Sequence, residues 1–446
     1  MYAYSENTEF QFKNLCGVLK IHLQQDDTYI SRIDLTAGNG YLSSYFVLDG
    51  TNEEPALAAT SSSSNSVTLN CSTPQSIGGS GHDFYIYLPP SPEGGFNLTL
   101  KIYNSDGTHC TKTCSNVVVE RNMLYNVTVE GLTFPTLTVP TGAISGLFSV
   151  SDTKQVFFSQ GNLQWSAMGG GSTATNHNVN GGTAAGTWRF AEHQYDYVGS
   201  GNENISDSYT GWIDLFGWGT SGWNSGANAY QPYSTSTEVF DYVPGGNITY
   251  NSIYNTLTGD YANADWGVYN AISNGGNTPN VWRTLTGAEY DDDGEWDYLM
   301  KFRSASTING TPARYAEIRV YDGTRYIPGL LLFPDVFSWP SAAGTAPTAF
   351  NQPVGSSWDD APYYTLTQFA ALEAAGCVFL PTAGYRNGTS YINNDNNQEG
   401  HYWSASPGST AGANDMKFNP TDHRVCISST RSFGYSVRLV QDYNQE

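Results

Sequence analysis

Apolar and polar residues alternate in short runs along roughly the first 130 residues of the chain. Each run ends in turn-forming Gly, Pro, Asn or Asp, and no helical periodicity competes with it. A repeat of two residues places apolar side chains on one face of a β-strand. The region is therefore predicted to be an antiparallel β-sandwich, with residues 58–65 as a polar surface loop. The predicted strands are residues 18–23, 29–35, 41–48, 67–71, 84–88, 98–102, 117–119 and 124–129.

The chain is predicted to divide after this region. Pro135 and Pro140 favour extended backbone on either side of a short segment. We assign residues 1–135 to a first domain, 136–143 to a linker and 144–446 to a second domain. A length of 446 residues is too great for one ordinary core and fits this division.

Two helices are predicted in the second domain. Thr286 is the predicted N-cap of a helix over residues 287–302, with Glu289 as its capping-box partner. Thr365 is the predicted N-cap of a helix over residues 366–375, which the next residue, a glycine, ends. With the short apolar runs between them, these helices predict an α+β domain.

The composition indicates an extracellular β-rich protein with long polar loops. Only 13% of the residues are charged, against about 25% in typical domains, and 14% are aromatic. The net charge of −22 excludes nucleic acid and anionic lipid surfaces as partners, because no basic stripe is present. No apolar run approaches the ~20 residues of a membrane helix. The chain starts with polar residues, and we expect that an export signal was removed.

The six cysteines are too few for a disulfide-stapled scaffold of this size. Cys110 and Cys114, next to His109, match a metal site only loosely, and no second ligand pair follows. A structural or free-thiol role is favoured for them. Cys377 lies in an apolar run, which predicts a core residue. We expect no metal and no cofactor.

For two further patterns, one for Ca²⁺ binding and one for hydrolysis, the plain structural explanations are favoured. The acidic residues Asp291 to Asp293 with Glu295 could offer oxygens to Ca²⁺, but the downstream Glu of an EF-hand is missing, so an exposed acidic turn is favoured. No Gly-x-Ser-x-Gly elbow follows a predicted strand. His193 stands in an aromatic block, which favours a packed, hydrogen-bonded histidine over a general base. The chain is not expected to be an enzyme.

Three blocks of the first domain follow one another in a recognisable order. They are residues 10–21 (Phe-Gln-Phe-Lys-Asn-Leu-Cys-Gly-Val-Leu-Lys-Ile), 30–35 (Ile-Ser-Arg-Ile-Asp-Leu) and 122–129 (Asn-Met-Leu-Tyr-Asn-Val-Thr-Val). These blocks resemble the N-terminal, transthyretin-like domain of fimbrillin-type pilins. The resemblance implies a sandwich that accepts a donor strand from a neighbouring pilin. Phe10 and Phe12 mark the expected edge or removable strand, and the short polar tail 441–446 is expected to donate none.

The second domain carries a longer series of blocks. They are residues 156–165, 188–197, 214–222, 282–286 and 374–385, with Tyr-Trp-Ser-Ala-Ser at 402–406 and Gly-Tyr-Ser-Val-Arg-Leu-Val at 434–440. The series resembles the C-type-lectin-like fold in the form shared by formylglycine-generating-enzyme relatives and paralogous surface proteins of gut anaerobes. Trp403 and Arg438 are assigned to the core.

The functional residues of these relatives do not carry over to this chain. Formylglycine-generating relatives use a close pair of active-site cysteines, whereas Cys377 and Cys426 are far apart in the sequence. The Ca²⁺-binding motifs of sugar-binding C-type lectins are missing as well. Trp358, Asp359 and Asp360 form only a weak likeness to one of them. The resemblance therefore implies recognition rather than catalysis.

Several loops of the second domain combine aromatic residues with Asn, Ser and Gly. Aromatic rings supply rigid contact area and the small polar residues supply adaptable hydrogen bonds, as in antibodies. We expect residues 391–397, 414–417 and 423–433 to form one ligand face, with 221–228 and 230–254 as a further candidate. The alternative is that such loops are solvent-compatible connectors. The predicted ligand-binding residues are Tyr391, Asn393, Asn394, Asp395, Asn396, Asn414, His423, Arg431 and Phe433.

The two resemblances together predict a bacterial surface adhesin, on a fimbrium or at the outer membrane. The first domain is expected to dock to other pilin subunits, and the second to bind a host glycan or protein. Stalk pilins of this kind carry a second transthyretin-like domain with a terminal donor strand, and here a lectin-like domain occupies that place, which predicts a tip or accessory subunit. Membrane association is expected only through a removed lipid anchor or the pilus. The alternatives are a free-standing carbohydrate-binding lipoprotein and a glycan hydrolase that uses carboxylates of the second domain.

Overall fold

The protein consists mostly of β-strands in several sheets, with 12% of the chain helical. A computed structural model describes residues 14–44, 46–49, 56–59, 63–167, 186–246, 249, 251–288, 294–393 and 398–443, with only the backbone path for 46–49 and 56–59. The chain separates into two compact units, Met1–Leu137 and Thr138–Gln445. The predicted strand at Phe10 and Phe12 lies outside the described residues.

The described part of the first unit is built from strands alone. One sheet has the order β5-β2-β7-β8, a second has the order β6-β1-β9, and β3 and β4 form a hairpin. Strands β1 and β9 run parallel, whereas the other neighbours are antiparallel. The strands are β1 Gly17–Leu23, β2 Tyr29–Ala37, β3 Phe46–Asp49, β4 Ala56–Ala59, β5 Ser66–Ser76, β6 His82–Leu88, β7 Phe96–Asn104, β8 His109–Val117 and β9 Leu124–Val129.

The two larger sheets of the first unit share one apolar core. Leu19 and Ile21 of β1 pack in the same buried cluster as Ile33 and Leu35 of β2. Their neighbours in the sequence point outward, which is the period of two that the sequence shows. A two-layer β-sandwich follows from this shared core.

Strand β8 differs from the sequence prediction. Of the predicted strand at 117–119, only Val117 lies in a strand, as the last residue of β8, which starts at His109. Most residues of β8 are polar because one face of the strand is exposed to solvent. Only Cys110 of this strand is buried, where it pairs with Ile102 of β7. Cys110 and Cys114 therefore belong to a strand rather than to a metal loop. All six cysteines are free thiols, and the described residues contain no cluster of metal-ligating side chains.

The second unit contains the remaining strands in small sheets. The largest has the order β18-β16-β17-β19, followed by β22-β23-β24 and β10-β11-β25. The strands are β10 Phe148–Ser149, β11 Gln155–Phe158, β12 Leu163–Ser166, β13 Thr187–Phe190, β14 Ser306–Ile308, β15 Thr311–Ala313, β16 Tyr315–Tyr321, β17 Tyr326–Leu332, β18 Tyr363–Thr365, β19 Val378–Pro381, β20 Tyr385–Asn387, β21 Ser390–Ile392, β22 Gly400–Pro407, β23 Gly412–Asn419, β24 Asp422–Thr430 and β25 Val440–Tyr443.

Helices are short throughout the described part of the second unit, and none is long and apolar enough to cross a membrane. The α-helices are α1 Trp266–Tyr269, α2 Glu295–Asp297 and α3 Leu366–Ala374. A π-helical turn spans Tyr298–Phe302, and 3₁₀ turns span Gly199–Asn204, Val239–Tyr242, Ser252–Tyr254, Gly259–Ala264, Ser341–Ala343 and Trp358–Asp360.

Helix α3 confirms the prediction made from its capping residues. The Thr365 hydroxyl accepts from the Gln368 backbone N–H, and the Gln368 side chain accepts from the Thr365 backbone N–H. Phe369 and Leu372 bury one face of the helix against the β18-β16-β17-β19 sheet. Gly376, at φ +82°, follows the helix in a backbone conformation that favours glycine.

The predicted helix over residues 287–302 is wrong in its first half. Helix α2 begins only at Glu295, and Glu289 lies outside the described residues. Thr286 nevertheless caps this helix. Its hydroxyl accepts from the Glu295 backbone N–H at 3.2 Å, and a Glu295 carboxylate oxygen accepts from the Thr286 N–H at 3.0 Å. Glu295 thus takes the place predicted for Glu289.

The closing strands supply the core as predicted. Trp403 is fully buried and donates its indole N–H to the Phe216 carbonyl at 2.7 Å. Arg438 is buried as well, and its guanidinium donates to the Gln194 side chain at 2.9 Å. Cys377 is fully buried, which confirms its place in the core.

Candidate functional site

Tyr391 and Asn393 lie together on one hairpin. Strand β21 carries Tyr391, which pairs with Arg386 of β20. The Asn393 amide donates to the Tyr391 hydroxyl at 3.0 Å, and burial raises the pKa of that hydroxyl. Both side chains are half-buried. They therefore pack within the hairpin and only partly face solvent.

Arg431 and Phe433 pack mainly inward. The Arg431 guanidinium is fully buried, donates to the Gly412 carbonyl at 2.9 Å and lies 4.8 Å from the Trp218 ring centre. Burial lowers its pKa to about 10. Phe433 packs on Tyr385, with ring centres 5.4 Å apart. Arg431 therefore cannot supply charge to a surface ligand as predicted, because neighbouring carbonyls and an aromatic ring enclose it.

Asn414 is also buried rather than displayed. It lies within strand β23, not in a loop, and its amide donates to the Ala288 carbonyl at 2.7 Å. The predicted residues Asn394, Asp395 and Asn396 lie outside the described residues. Of the predicted polar contacts, only Asn393 is therefore described and partly exposed.

His423 lies at the opposite end of β24 from Arg431. Eight residues separate them, which corresponds to about 26 Å along an extended strand. His423 Nε2 hydrogen-bonds a Glu317 carboxylate oxygen at 2.8 Å, and its ring meets Tyr315 edge-on at 5.3 Å. The predicted segments 414–417 and 423–433 lie side by side for part of their length, because Asn414 pairs with Ser428 and Lys417 with Arg424 on neighbouring strands. His423 and Arg431, however, lie at opposite ends of β24 and do not meet at one ligand contact.

Two other histidines are engaged by carboxylates. His193 is hydrogen-bonded and packed as predicted: it contacts Asp196 at 3.1 Å and its ring stacks on Tyr195 with centres 5.0 Å apart, although its side chain is 51% exposed. His401 is buried between Asp415 and Glu399, at 3.0 and 3.2 Å from its two ring nitrogens. Because both His401 nitrogens face carboxylates, neither is free to take a proton from a substrate.

The acidic turn predicted at Asp291 to Asp293 lies outside the described residues.

A group of three tyrosines, two of them exposed and one half-buried, lies on the β18-β16-β17 part of the largest sheet. Tyr321 pairs with Tyr326 across the β16–β17 hairpin, with ring centres 4.8 Å apart. Tyr363 of β18 meets Tyr326 at 5.1 Å with the rings nearly perpendicular. Tyr326 is 47% exposed and Tyr363 51% exposed. We call these three residues the tyrosine platform.

The alternation of the strands explains why the platform faces outward. The neighbours Ile318, Val320 and Tyr364 point to the other face, where α3 covers them. Further along the same strands, the platform face itself becomes buried, with Leu330 and Leu332 in a separate core cluster. The sheet is therefore anchored by core packing on both faces and exposes only one end of one face.

Arg319 connects the platform to a group of polar residues, Ser356, Ser357, Asp359 and Gln398, which we call the wall. Arg319 stands beside Tyr363 in the strand register, and its guanidinium lies 5.0 Å from the Tyr326 ring centre. One of its nitrogens contacts the Asp359 carboxylate at 2.6 Å, and another donates to the Asp359 carbonyl at 3.2 Å. The pair therefore holds the platform and the wall in one arrangement.

A cavity of about 390 Å³ opens between the platform and this wall. Its size falls in the range of small-ligand pockets, about 300–1,000 Å³. Trp358 is buried at the cavity and donates its indole N–H to the Gln398 carbonyl at 2.9 Å. The lining residues are Arg319, Tyr326, Pro328, Ser356, Ser357, Trp358, Asp359 and Gln398.

The wall is held from behind by a buried carboxylate. Glu317, fully buried, accepts from the Val354 backbone N–H at 2.7 Å with one oxygen and from His423 with the other. Val354 precedes the wall residues Ser356 and Ser357 in the chain. His423, predicted as a ligand contact, is therefore a positioning residue for the wall.

Sequence reasoning did not find the platform, although one signal was present. Glu317, Arg319 and Tyr321 alternate with Ile318 and Val320, which is the two-residue repeat of a strand with one polar, aromatic face. The Asp-Gly turn that follows is a hairpin signal. The third tyrosine comes from a strand more than 40 residues later, and no local pattern could place it there.

Comparisons with known proteins add little to this geometry. No family model and no curated protein matches the chain. Among solved structures, a fimbrial protein from Bacteroides ovatus is 11% identical, and the match covers 99% of this chain and 74% of that one with a TM-score of 0.14. A TM-score of this size carries no argument about fold or function. The proposals below therefore depend on the residues of this chain.

Proposed function

We propose that this protein is a bacterial surface adhesin rather than an enzyme. Its second unit recognises a host or glycan ligand, and its first unit attaches it to pilin subunits at the end or side of a fimbrium. The observation that carries recognition is the tyrosine platform beside a polar cavity. Exposed aromatic groups of this kind on soluble proteins mark interaction sites.

Several features of the platform support recognition. The rings are held by contacts with each other and with Arg319, so little side-chain entropy is lost on binding. Ordered strands of a packed sheet carry all three tyrosines, and sites on such elements hold their geometry better than loop sites. Polar wall groups beside the rings provide orientation and specificity.

The attachment of the first unit is proposed from its sheet edges. In the order β6-β1-β9, both β6 and β9 are edge strands among the described residues. Edge strands present unpaired backbone N–H and C=O groups that accept a further strand. Strand addition of this kind gives affinity through main-chain hydrogen bonds, and side-chain pockets give specificity.

Adhesion to cultured host epithelial cells tests the recognition half of the proposal. We expect the full chain, coupled to fluorescent beads, to adhere, and the Tyr326→Ala/Tyr363→Ala variant to lose most adhesion. The matched control is Tyr85→Ala/Tyr87→Ala, which removes two exposed tyrosines from a sheet face of the first unit. Loss of adhesion in the control alone would place recognition in the first unit and overturn the proposal.

Immunogold labelling of intact cells tests the attachment half. Label at fimbrial ends or sides, together with pilins in the purified fraction, supports a tip or accessory subunit. Label on the outer membrane of cells that lack pilins supports the free-standing lipoprotein instead. Turnover of a glycan by the purified chain would show a hydrolase and contradict the assignment as a binding protein.

A further inference from the structure

We infer that the cavity beside the tyrosine platform binds an uncharged oligosaccharide, with a sugar ring stacked on Tyr326 or Tyr363. This inference rests on the proposed function and names the ligand class of the same site. It follows from three properties of the site: exposed ring surface, the polar chemistry of the wall, and the balance of charge. Each of these favours a neutral sugar over other ligands.

The first property is ring surface of the right kind. A pyranose ring presents a patch of C–H groups on one face, and this patch packs against an aromatic ring. Arg319 lies over the Tyr326 ring, yet 47% of that residue stays exposed. Tyr363 stands nearly perpendicular to it, at an interplanar angle of 74°. A chain of sugars can therefore pack one residue on each ring, which suits an oligosaccharide better than a single sugar.

The second property is the chemistry of the wall. The cavity is lined by the polar residues Ser356, Ser357, Asp359 and Gln398. Sugar hydroxyls donate to carboxylates and accept from amides and hydroxyls. The Asp359 side chain is 87% exposed although it contacts Arg319, so its carboxylate is accessible to a ligand. A purely apolar ligand would remove water from the Asp359 carboxylate without adding a hydrogen bond to it.

The third property is charge. The Arg319 cation is paired with Asp359, and Asp360 next to it is exposed and acidic. The site therefore offers no surplus positive charge to a sialic acid or a sulfate. The net charge of −22 on the whole chain adds repulsion for anionic glycans. A neutral glycan meets neither penalty.

Isothermal titration calorimetry of the full chain tests this inference. The probes are neutral oligosaccharides that end in galactose, N-acetylglucosamine, mannose or glucose, each paired with a sialylated or sulfated counterpart. We expect at least one neutral probe to bind and its anionic counterpart to bind more weakly. Tyr326→Ala/Tyr363→Ala should weaken the neutral probe by about 30-fold, as expected for the loss of an aromatic anchor. Asp359→Asn should weaken it by about 10-fold through loss of a charged hydrogen bond.

The outcomes separate the inference from the proposed function. Tyr85→Ala/Tyr87→Ala should bind as the unchanged protein does, and equal weakening in this control overturns the inference. Neutral glycan binding that survives Tyr326→Ala/Tyr363→Ala also overturns it, while leaving an adhesin with its site elsewhere. If host-cell adhesion needs the platform but no glycan binds, the ligand is a protein. This outcome overturns the oligosaccharide inference and supports the proposed adhesin function. Preference for the anionic probes overturns the neutral class.

Discussion

Both units display exposed tyrosines on the outer face of a sheet, yet the two faces differ in almost every other respect. In the first unit, Tyr85 and Tyr87 of β6 are 51% and 73% exposed and stand beside Lys20 and Val18 of β1. Neither ring contacts another aromatic ring among the described residues. The cavity of about 520 Å³ in that unit is lined by residues 90–95 and 118–121, and neither tyrosine reaches it.

In the second unit the platform tyrosines contact each other and the Arg319 guanidinium, and Tyr326 lines the cavity beside the wall. We propose from this difference that exposed aromatic area alone does not make a binding site. A flat face allows a ligand to slide and leaves each ring free to change rotamer, whereas a wall with fixed polar groups sets one orientation. Under the proposed function, Arg319 contributes to specificity because it joins the platform to Asp359. Tyr85 and Tyr87 do not line the described cavity of the first unit.

The largest expected effect comes from removing the carboxylate behind the wall. Glu317→Ala leaves the Val354 N–H and His423 Nε2 without their buried partner, so we expect the second unit to lose about 3 kcal/mol of stability. All 11 tryptophans of the chain lie after residue 138, so urea unfolding followed by tryptophan fluorescence reports the second unit alone.

The comparison supplies the control for this change. Asp83 is the corresponding carboxylate on the tyrosine face of the first unit, where it contacts Lys20 and His22 at the open surface. Asp83→Ala should leave the far-ultraviolet circular dichroism spectrum and the tryptophan transition unchanged, because exposed ion pairs contribute little. A Glu317→Ala protein as stable as the parent would show that the wall is held by other contacts.

This contrast also shows how much of the molecule could be predicted. The mostly β character, the strand at Leu124–Val129 and the cap of α3 follow from local patterns, since neighbours in sequence decide them. The walled cavity does not. Its anchor joins Glu317 to His423 across 106 residues, and no local pattern sets such a distance.

Arg431 failed as a prediction for a different physical reason. A charged residue in a polar stretch is typical of a solvated surface. Here backbone carbonyls of Gly412 and Ile253 and the Trp218 ring replace water around the guanidinium. These partners come from three separate segments of the chain. Only the folded structure brings them together.

A smaller effect is expected from acidification, again in the second unit more than in the first. The His401 hydrogen bond, together with Lys417, lowers the pKa of Glu399 to about 2 from its ordinary 4.5. A lowered carboxyl pKa stabilises the fold above pH 4.5, and this contribution is lost as the pH falls toward 2. We expect a loss on the order of 1 kcal/mol, discounted for partial exposure of Glu399.

Urea unfolding at a series of pH values between 2 and 6 measures this loss. The Glu399→Gln variant should be less stable than the parent at pH 6 and should show a flatter pH dependence. Burial lowers the pKa of His401, but its hydrogen bonds to Asp415 and Glu399 raise that pKa by more, so the pKa of His401 is raised overall. Its contribution is therefore present below pH 6.5 and lost at higher pH. An unchanged slope in Glu399→Gln would assign the acid sensitivity to other carboxylates.

Arg319 offers a direct test of what the wall adds to exposed rings. Arg319→Ala removes both the cation over Tyr326 and the tie to Asp359, which makes the platform resemble the flat face of the first unit. We expect affinity for a bound neutral oligosaccharide to fall by about 1 kcal/mol, or about fivefold. Lys20→Ala in the first unit is the matched control and should leave the affinity unchanged. Equal affinity in Arg319→Ala would mean that the rings act without the wall.

The smallest effect on binding is expected from the residues that the sequence alone suggested. Tyr391 and Phe433 are half-buried, on a hairpin and a turn, and the Phe433 ring packs against the buried Tyr435 with ring centres 6.2 Å apart. Neither lines the cavity beside the platform. Tyr391→Ala/Phe433→Ala should therefore change oligosaccharide affinity less than twofold while lowering the stability of the second unit by about 1–3 kcal/mol through lost packing. Calorimetric titration and tryptophan-monitored unfolding of the same sample measure both quantities. A large loss of affinity with unchanged stability would move the recognition surface from the sheet to these loops, and the wall around the tyrosine platform would then have no role in binding.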